Sequence, residues 1–84
     1  MEVLGRDPAR EAFRVATDTP DGRIVGLLPE HVIGRGLLIG GHGHATAYDW
    51  IARHAGEIDL TLKALRSGEG RIPRPFNRME LVED

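Results

Sequence analysis

Residues 48–65 read YDWIARHAGEIDLTLKAL, and within them Tyr48, Ile51, Ala55, Ile58, Leu62 and Leu65 recur at alternating steps of three and four. A helix turns once every 3.6 residues, so these six side chains fall on one apolar seam that has to be covered by a partner surface. The spacing predicts a single long helix from Thr46 to about Ser67. Thr46 supplies an N-cap oxygen, and Asp49 three residues on is the acidic half of a capping-box-like pair. Gly68 and Gly70 supply the stop. Gly56 costs about 1 kcal/mol relative to alanine inside a helix, which predicts a bend or a close packing contact there.

Upstream of the seam the period changes. In residues 12–18, Phe13, Val15 and Thr17 alternate with Arg14, Ala16 and Asp18, the pattern of a strand showing one face to a core. Thr19-Pro20-Asp21-Gly22 is a turn: Pro20 presets φ, Asp21 can bond its own backbone, and Gly22 accepts a left-handed conformation. Residues 23–28 then return as the antiparallel mate, with Ile24, Val25, Leu27 and Leu28 apolar. Residues 29–33 read as one helical turn, proline being tolerated at the first helical position and Glu30 suiting its positive end. Gly34, Gly36, Gly40, Gly41 and Gly43 surround Leu37-Leu38-Ile39 and predict a loop over 34–43. Beyond the long helix, Pro73 and Pro75 force an extended path, and residues 76–82 read as a last strand with Met79 and Leu81 facing inward. Gly5 and Pro8 make residues 1–10 a loosely attached arm, able to add an edge strand.

The expected architecture is therefore an α+β domain over residues 11–84: a three-stranded antiparallel sheet packed against one long helix, plus a short helical turn, preceded by the 1–10 arm. Its 84 residues suffice for one modest core. With 40% hydrophobic and 29% charged residues and a formal charge of -2, the chain resembles neither a disordered segment nor a bulk nucleic-acid binder. The absence of cysteine excludes disulfides, thiolate metal sites and thiol nucleophiles. Glu2, Arg6, Asp7 and Arg10 leave the first ten residues without an apolar run, so neither a signal peptide nor a membrane anchor is expected and the cytoplasm is the default location.

In order and spacing these parts resemble a family of small bacterial proteins of unknown function, in which a strand and an apolar hairpin precede a short helix, a variable loop, a long helix and a terminal strand. The residues that carry the resemblance are Phe13-Arg14-Val15-Ala16, Asp21-Gly22-Arg23-Ile24-Val25, residues 29–33, residues 48–58 and residues 79–84. The glycine-rich loop and the Pro73 to Pro75 stretch depart from that pattern. The resemblance implies an α+β fold and supplies no catalytic residue.

Three constellations carry chemistry. On the side of the long helix away from the seam, Trp50, Arg53, Glu57, Leu60 and Ala64 also step by three and four. Arg53 and Glu57 are placed to pair as i and i+4 neighbours, leaving Trp50 and Leu60 as apolar ends of a mixed patch. An aromatic anchor beside arginine is enriched at protein interfaces, so this stripe is the expected contact for a protein partner or a homodimer. Its competing reading is that Trp50 is shielded by the glycine-rich loop. His42 and His44, with His54 or Asp49 downstream, have the residue types of a zinc site, although loop histidines without thiolates more often face water. Arg66, Arg71, Arg74 and Arg78, with Lys63 and Phe76 among them, have the elements of a nucleic-acid track, but the acidic whole and the lack of a binding module weigh against one.

The glycines around Arg35 lack the strand, helix and lysine contexts of nucleotide loops. Serine occurs once, at Ser67, distant in sequence from every histidine, so no nucleophile–base pair is legible and no enzyme activity or cofactor is expected. The expected function is non-catalytic protein binding, as an adaptor, regulator or inhibitor.

Overall fold

In the computed structural model, residues 1–33, 43–68, 70–72, 74 and 76–82 are described, the side chains of 43–46 excepted. The sheet is built from β1 (Glu2–Asp7), β2 (Ala12–Thr19), β3 (Gly22–Pro29) and β4 (Glu80–Leu81) in the spatial order β1-β2-β3-β4, every neighbouring pair antiparallel. The helices are α1 (Glu30–Ile33), α2 (Gly43–Arg53) and α3 (Ala55–Ser67). The architecture is α+β, with four strands in place of three and two main helices in place of one.

The hairpin forms as its turn chemistry dictates. Thr19 pairs with Gly22 and Phe13 with Leu28, so Pro20 and Asp21 alone make the reversal, and Gly22 takes a φ of 129°. Thr19 closes the turn with its hydroxyl, which donates to the Gly22 carbonyl at 2.8 Å. This register sets Phe13, Val15 and Thr17 opposite Leu28, Gly26 and Ile24 on one face, where Phe13, Val15, Ile24 and Leu28 join the core.

The first ten residues take the edge-strand option and do not form a loose arm. Glu2–Asp7 is a full edge strand on β2, and the two residues that read as breakers have specific places in it. Gly5, at φ 130°, sits at a bulge where the register shifts between Val3 and Gly5. Pro8 opens a 3-10 turn, Pro8–Arg10, capped by the Asp7 carboxylate, which accepts from the Arg10 backbone N–H at 3.3 Å. Glu11 completes the corner with a left-handed φ of 50°. Arg6 ties the strand to α1 through an ion pair with Glu30.

The expected long helix is interrupted at His54, not at Gly56. The His54 N–H is shared between the carbonyls of Trp50 and Ile51, both at 3.2 Å, and its own carbonyl accepts from Ile58 at 3.0 Å to start α3. Helix α2 begins at Gly43, so Thr46 lies inside it and not at its cap. A Cβ built at Gly56 meets nothing within 4 Å, which removes close packing as the reason for that glycine. Helix α3 stops as expected, with Gly68 left-handed at its end and the Gly68 N–H donating to Ala64. The expected loop over 34–43 lies outside the described residues except Gly43.

Of the seam, Ile51, Ile58 and Leu62 are fully buried, and Leu65 packs at the core edge. Tyr48 is half exposed and sets its ring edge-to-face on Phe13, centroids 5.5 Å apart. The last strand is shorter than the expected 76–82. Phe76–Arg78 is a 3-10 turn that buries Phe76, Met79 is buried after it, and Glu80 and Leu81 alone pair with Leu27 and Gly26. Val82 adds one bond to the carbonyl of Val25 at 2.8 Å.

Two glycines separate backbone need from accident. A Cβ at Gly26 would lie 2.5 Å from Cδ2 of Leu62 and 3.1 Å from the Glu80 carbonyl oxygen, between helix and edge strand. Gly26→Ala is therefore expected to destabilise the fold by about 1–3 kcal/mol through overpacking. Gly56→Ala, in open space, is expected to stabilise it by about 0.5–1 kcal/mol. Urea unfolding of the two variants against the parent measures both signs.

Helix α3 is also fastened to the sheet by a charge. The Thr17 hydroxyl donates to the Asp59 carboxylate, and Lys63 lies 2.8 Å from its other oxygen. Lys63 first and Thr17 second hold the Asp59 carboxyl below its ordinary range. A carboxyl depressed in the folded state stabilises above its unfolded pKa of about 3.9 and loses that contribution as pH falls through its folded value. Asp59→Asn is expected to cost about 1 kcal/mol near neutrality, with the gap to the parent closing below about pH 4, as thermal melts across acidic pH will show.

Candidate functional site

The break at His54 decides what the two helices present to solvent. Trp50, on α2, is half-buried and packs against the core. Its ring stacks on His54 with centroids 4.0 Å apart and leans on Phe76 at 6.1 Å. The His54 ring donates from Nδ1 to the Trp50 carbonyl at 2.8 Å, since that oxygen can only accept. Imidazole, indole and Phe76 thus form a small aromatic cluster that seals the joint between α2 and α3.

The expected interaction stripe is accordingly divided. Trp50 belongs to the joint. Arg53 pairs with Asp49 at 2.6 Å and not with Glu57, and both partners of that pair are largely exposed. Glu57 and Leu60 remain together on α3, where Leu60 is 67% exposed, the most exposed of the large apolar side chains among the described residues. Beside them lies a shallow cleft of about 130 Å³ lined by Glu57, Leu60, Thr61, Ala64, Arg71 and Ile72. Its floor is apolar and small: Ala64 has only a methyl group to offer, Ile72 closes the side, and the Thr61 hydroxyl is turned away into a bond with the Glu57 carbonyl at 2.8 Å.

The opposite flank of α3 borders a larger depression of about 380 Å³, set between the β2–β3 turn and the last turns of the helix and lined in part by Asp21, Gly22, Ile24, Lys63 and Arg66. Two of the cations there have partners within the chain. Lys63 is held by Asp59, and Arg66 reaches the carbonyl of Arg23 at 3.4 Å. Arg23 in turn bridges Glu2 and Asp18, and Glu2 first among its neighbours raises its pKa further.

Of the arginines expected to form a track, Arg66 and Arg71 lie on different surfaces. Arg66 lines the larger depression and Arg71 the smaller cleft, across α3 from one another, while Arg74 and Arg78 are exposed on the segment that follows. Of the expected metal ligands, His42 and the side chain of His44 lie outside the described residues, and Nδ1 of His54 is engaged by backbone. Among the described residues no group of three or more histidine or acidic side chains is arranged to hold a metal ion. No helix among them is long and apolar enough to cross a membrane.

Compared with protein-family models, curated proteins and solved structures, the chain matches none. The site therefore rests on its own geometry.

Glu57, Leu60 and Ala64 share the cleft, as their helical spacing places them on one stripe, and Arg71 and Ile72 complete it from outside that stripe. Those two lie past the helix end and return to it in space, a juxtaposition that helical periodicity does not encode. The larger depression was also missed, because it joins the hairpin turn to a helix 40 residues downstream through tertiary packing alone. Trp50 and Leu60 should now respond oppositely to truncation. Trp50→Ala is expected to cost about 2 kcal/mol or more by opening the aromatic joint, and Leu60→Ala to change stability by less than about 0.5 kcal/mol. Chemical denaturation of both variants gives the comparison directly.

Proposed function

We propose that this chain is a small protein-binding module whose contact surface is the flank of α3 centred on Leu60. The observation that carries the reading is the exposure of Leu60 beside an apolar cleft, on a helix whose Ile58 and Leu62 are fully buried. A leucine two-thirds exposed leaves apolar area in water, and covering it recovers about 1–2 kcal/mol. The bordering Glu57 and Arg71 give the patch a polar rim of both signs, the composition of interfaces that form and dissociate.

The aromatic anchor expected from sequence is not required for this reading. Trp50 serves the joint, and Leu60 takes its place as the side chain that enters a partner. The matched charges of the opposite flank favour the Leu60 side further, since a partner there would displace ion pairs already made.

A photo-crosslinking amino acid placed at position 60 tests the proposal, with the same residue at the exposed position Arg14 as control. The expected result is protein adducts from position 60 and none above background from position 14. Equal or absent adducts at both positions would overturn it.

A further inference from the structure

We infer that the occupant of the Leu60 cleft is a second copy of this chain, related by a two-fold axis that sets the α3 helices of the two protomers antiparallel. This deepens the binding reading above and rests on it. Leu60 and its cleft form a projection and a recess on the same surface, which is the requirement for a contact that is identical from both sides. With the axis between Leu60 and Ala64, the Leu60 of each protomer lies over the Ala64 of the other, where a methyl group leaves room for close approach of the helices. A recess of about 130 Å³ is comparable to cavities that admit a benzene-sized apolar group, so it accepts a leucine side chain.

Charge supports the same arrangement. Glu57 and Arg71 both border the cleft, yet neither makes an ion pair among the described residues. The antiparallel two-fold carries Glu57, near the start of α3, toward the far end of the other helix and the partner's Arg71. Each chain contributes one acid and one base, so the dimer gains two such pairs and no like-charge contact between them. The cations of α3 itself, Lys63 and Arg66, line the larger depression and do not border the cleft. A contact of one helix flank is small for a stable interface, which places the pairing in the weak, concentration-dependent class.

Sedimentation equilibrium of the full chain, from micromolar to near-millimolar concentration, tests the inference with four variants: Leu60→Asp, Glu57→Arg, Arg71→Glu and the double charge reversal. The mass is expected to rise from monomer to dimer with concentration. Leu60→Asp should stay monomeric while its circular dichroism spectrum matches the parent. Each single reversal should weaken pairing by about tenfold, or about 1.4 kcal/mol, and the double reversal should restore it. A parent monomeric throughout, with adducts from position 60 to some other protein, would overturn self-pairing and leave the binding surface standing. A dimer indifferent to Leu60→Asp would overturn it equally, because the copies would then meet elsewhere.

Discussion

The approach of α3 to β3 at Gly26 sets the spacing on which the rest of the structure depends. Leu62 lies where a side chain at position 26 would be, so the helix rests on bare backbone there, with the Glu80 carbonyl closing the other side. That one contact lets three things coexist. Ile58 and Leu62 reach the sheet and become fully buried, β4 fits alongside β3, and the Thr17 hydroxyl comes within reach of Asp59. A side chain at 26 would force the buried Leu62 side chain to move and would crowd the Glu80 carbonyl, disturbing the packing of α3 and β4 on β3.

Much of this was legible in the residues themselves. The hairpin followed from Pro20, Asp21 and Gly22, because turn chemistry is local and fixes the register of everything attached to it. The seam followed from periodicity, and its members Ile51, Ile58 and Leu62 are the buried ones. What escaped was whatever depended on context. Gly5 and Pro8 have the composition of a mobile arm, but a bulge and a turn use the same residues, and only the presence of β2 beside them decides which occurs. The C-terminal strand was overextended because Phe76 and Met79 are buried from a 3-10 turn as readily as from a strand, and alternation over so few residues does not distinguish the two.

The helix break shows how a single residue redistributes surface. A stripe running from Trp50 to Ala64 assumes an unbroken turn of 100° per residue, and the assumption fails at His54, whose side chain and backbone N–H both address the Trp50 carbonyl. A polar side chain inserted into the hydrogen-bond ladder is one of the few causes of a sharp kink. Glycine at 56 suggested the wrong position because its propensity cost is a property of the residue alone, whereas the kink needs a group able to bond the carbonyl at i−4. Trp50 turns in toward Phe76 and Leu60 stays out, so the two ends of the expected patch acquire different roles.

The two flanks of α3 then differ in a way that bears on function. On one, Asp59, Lys63, Arg66, Arg23, Glu2 and Asp18 form a chain of contacts in which each charge meets an opposite charge or a carbonyl. Such a surface gains little from a partner, since new contacts replace old ones at similar strength and the desolvation cost is added. On the other flank the cleft floor is apolar, and Glu57 and Arg71 on its rim make no ion pair among the described residues. Covering that flank removes apolar area from water and breaks no ion pair among the described residues, while Glu57 and Arg71 lose hydration that only opposite charges on a partner offset. That asymmetry between the flanks is what the proposed binding surface around Leu60 draws on.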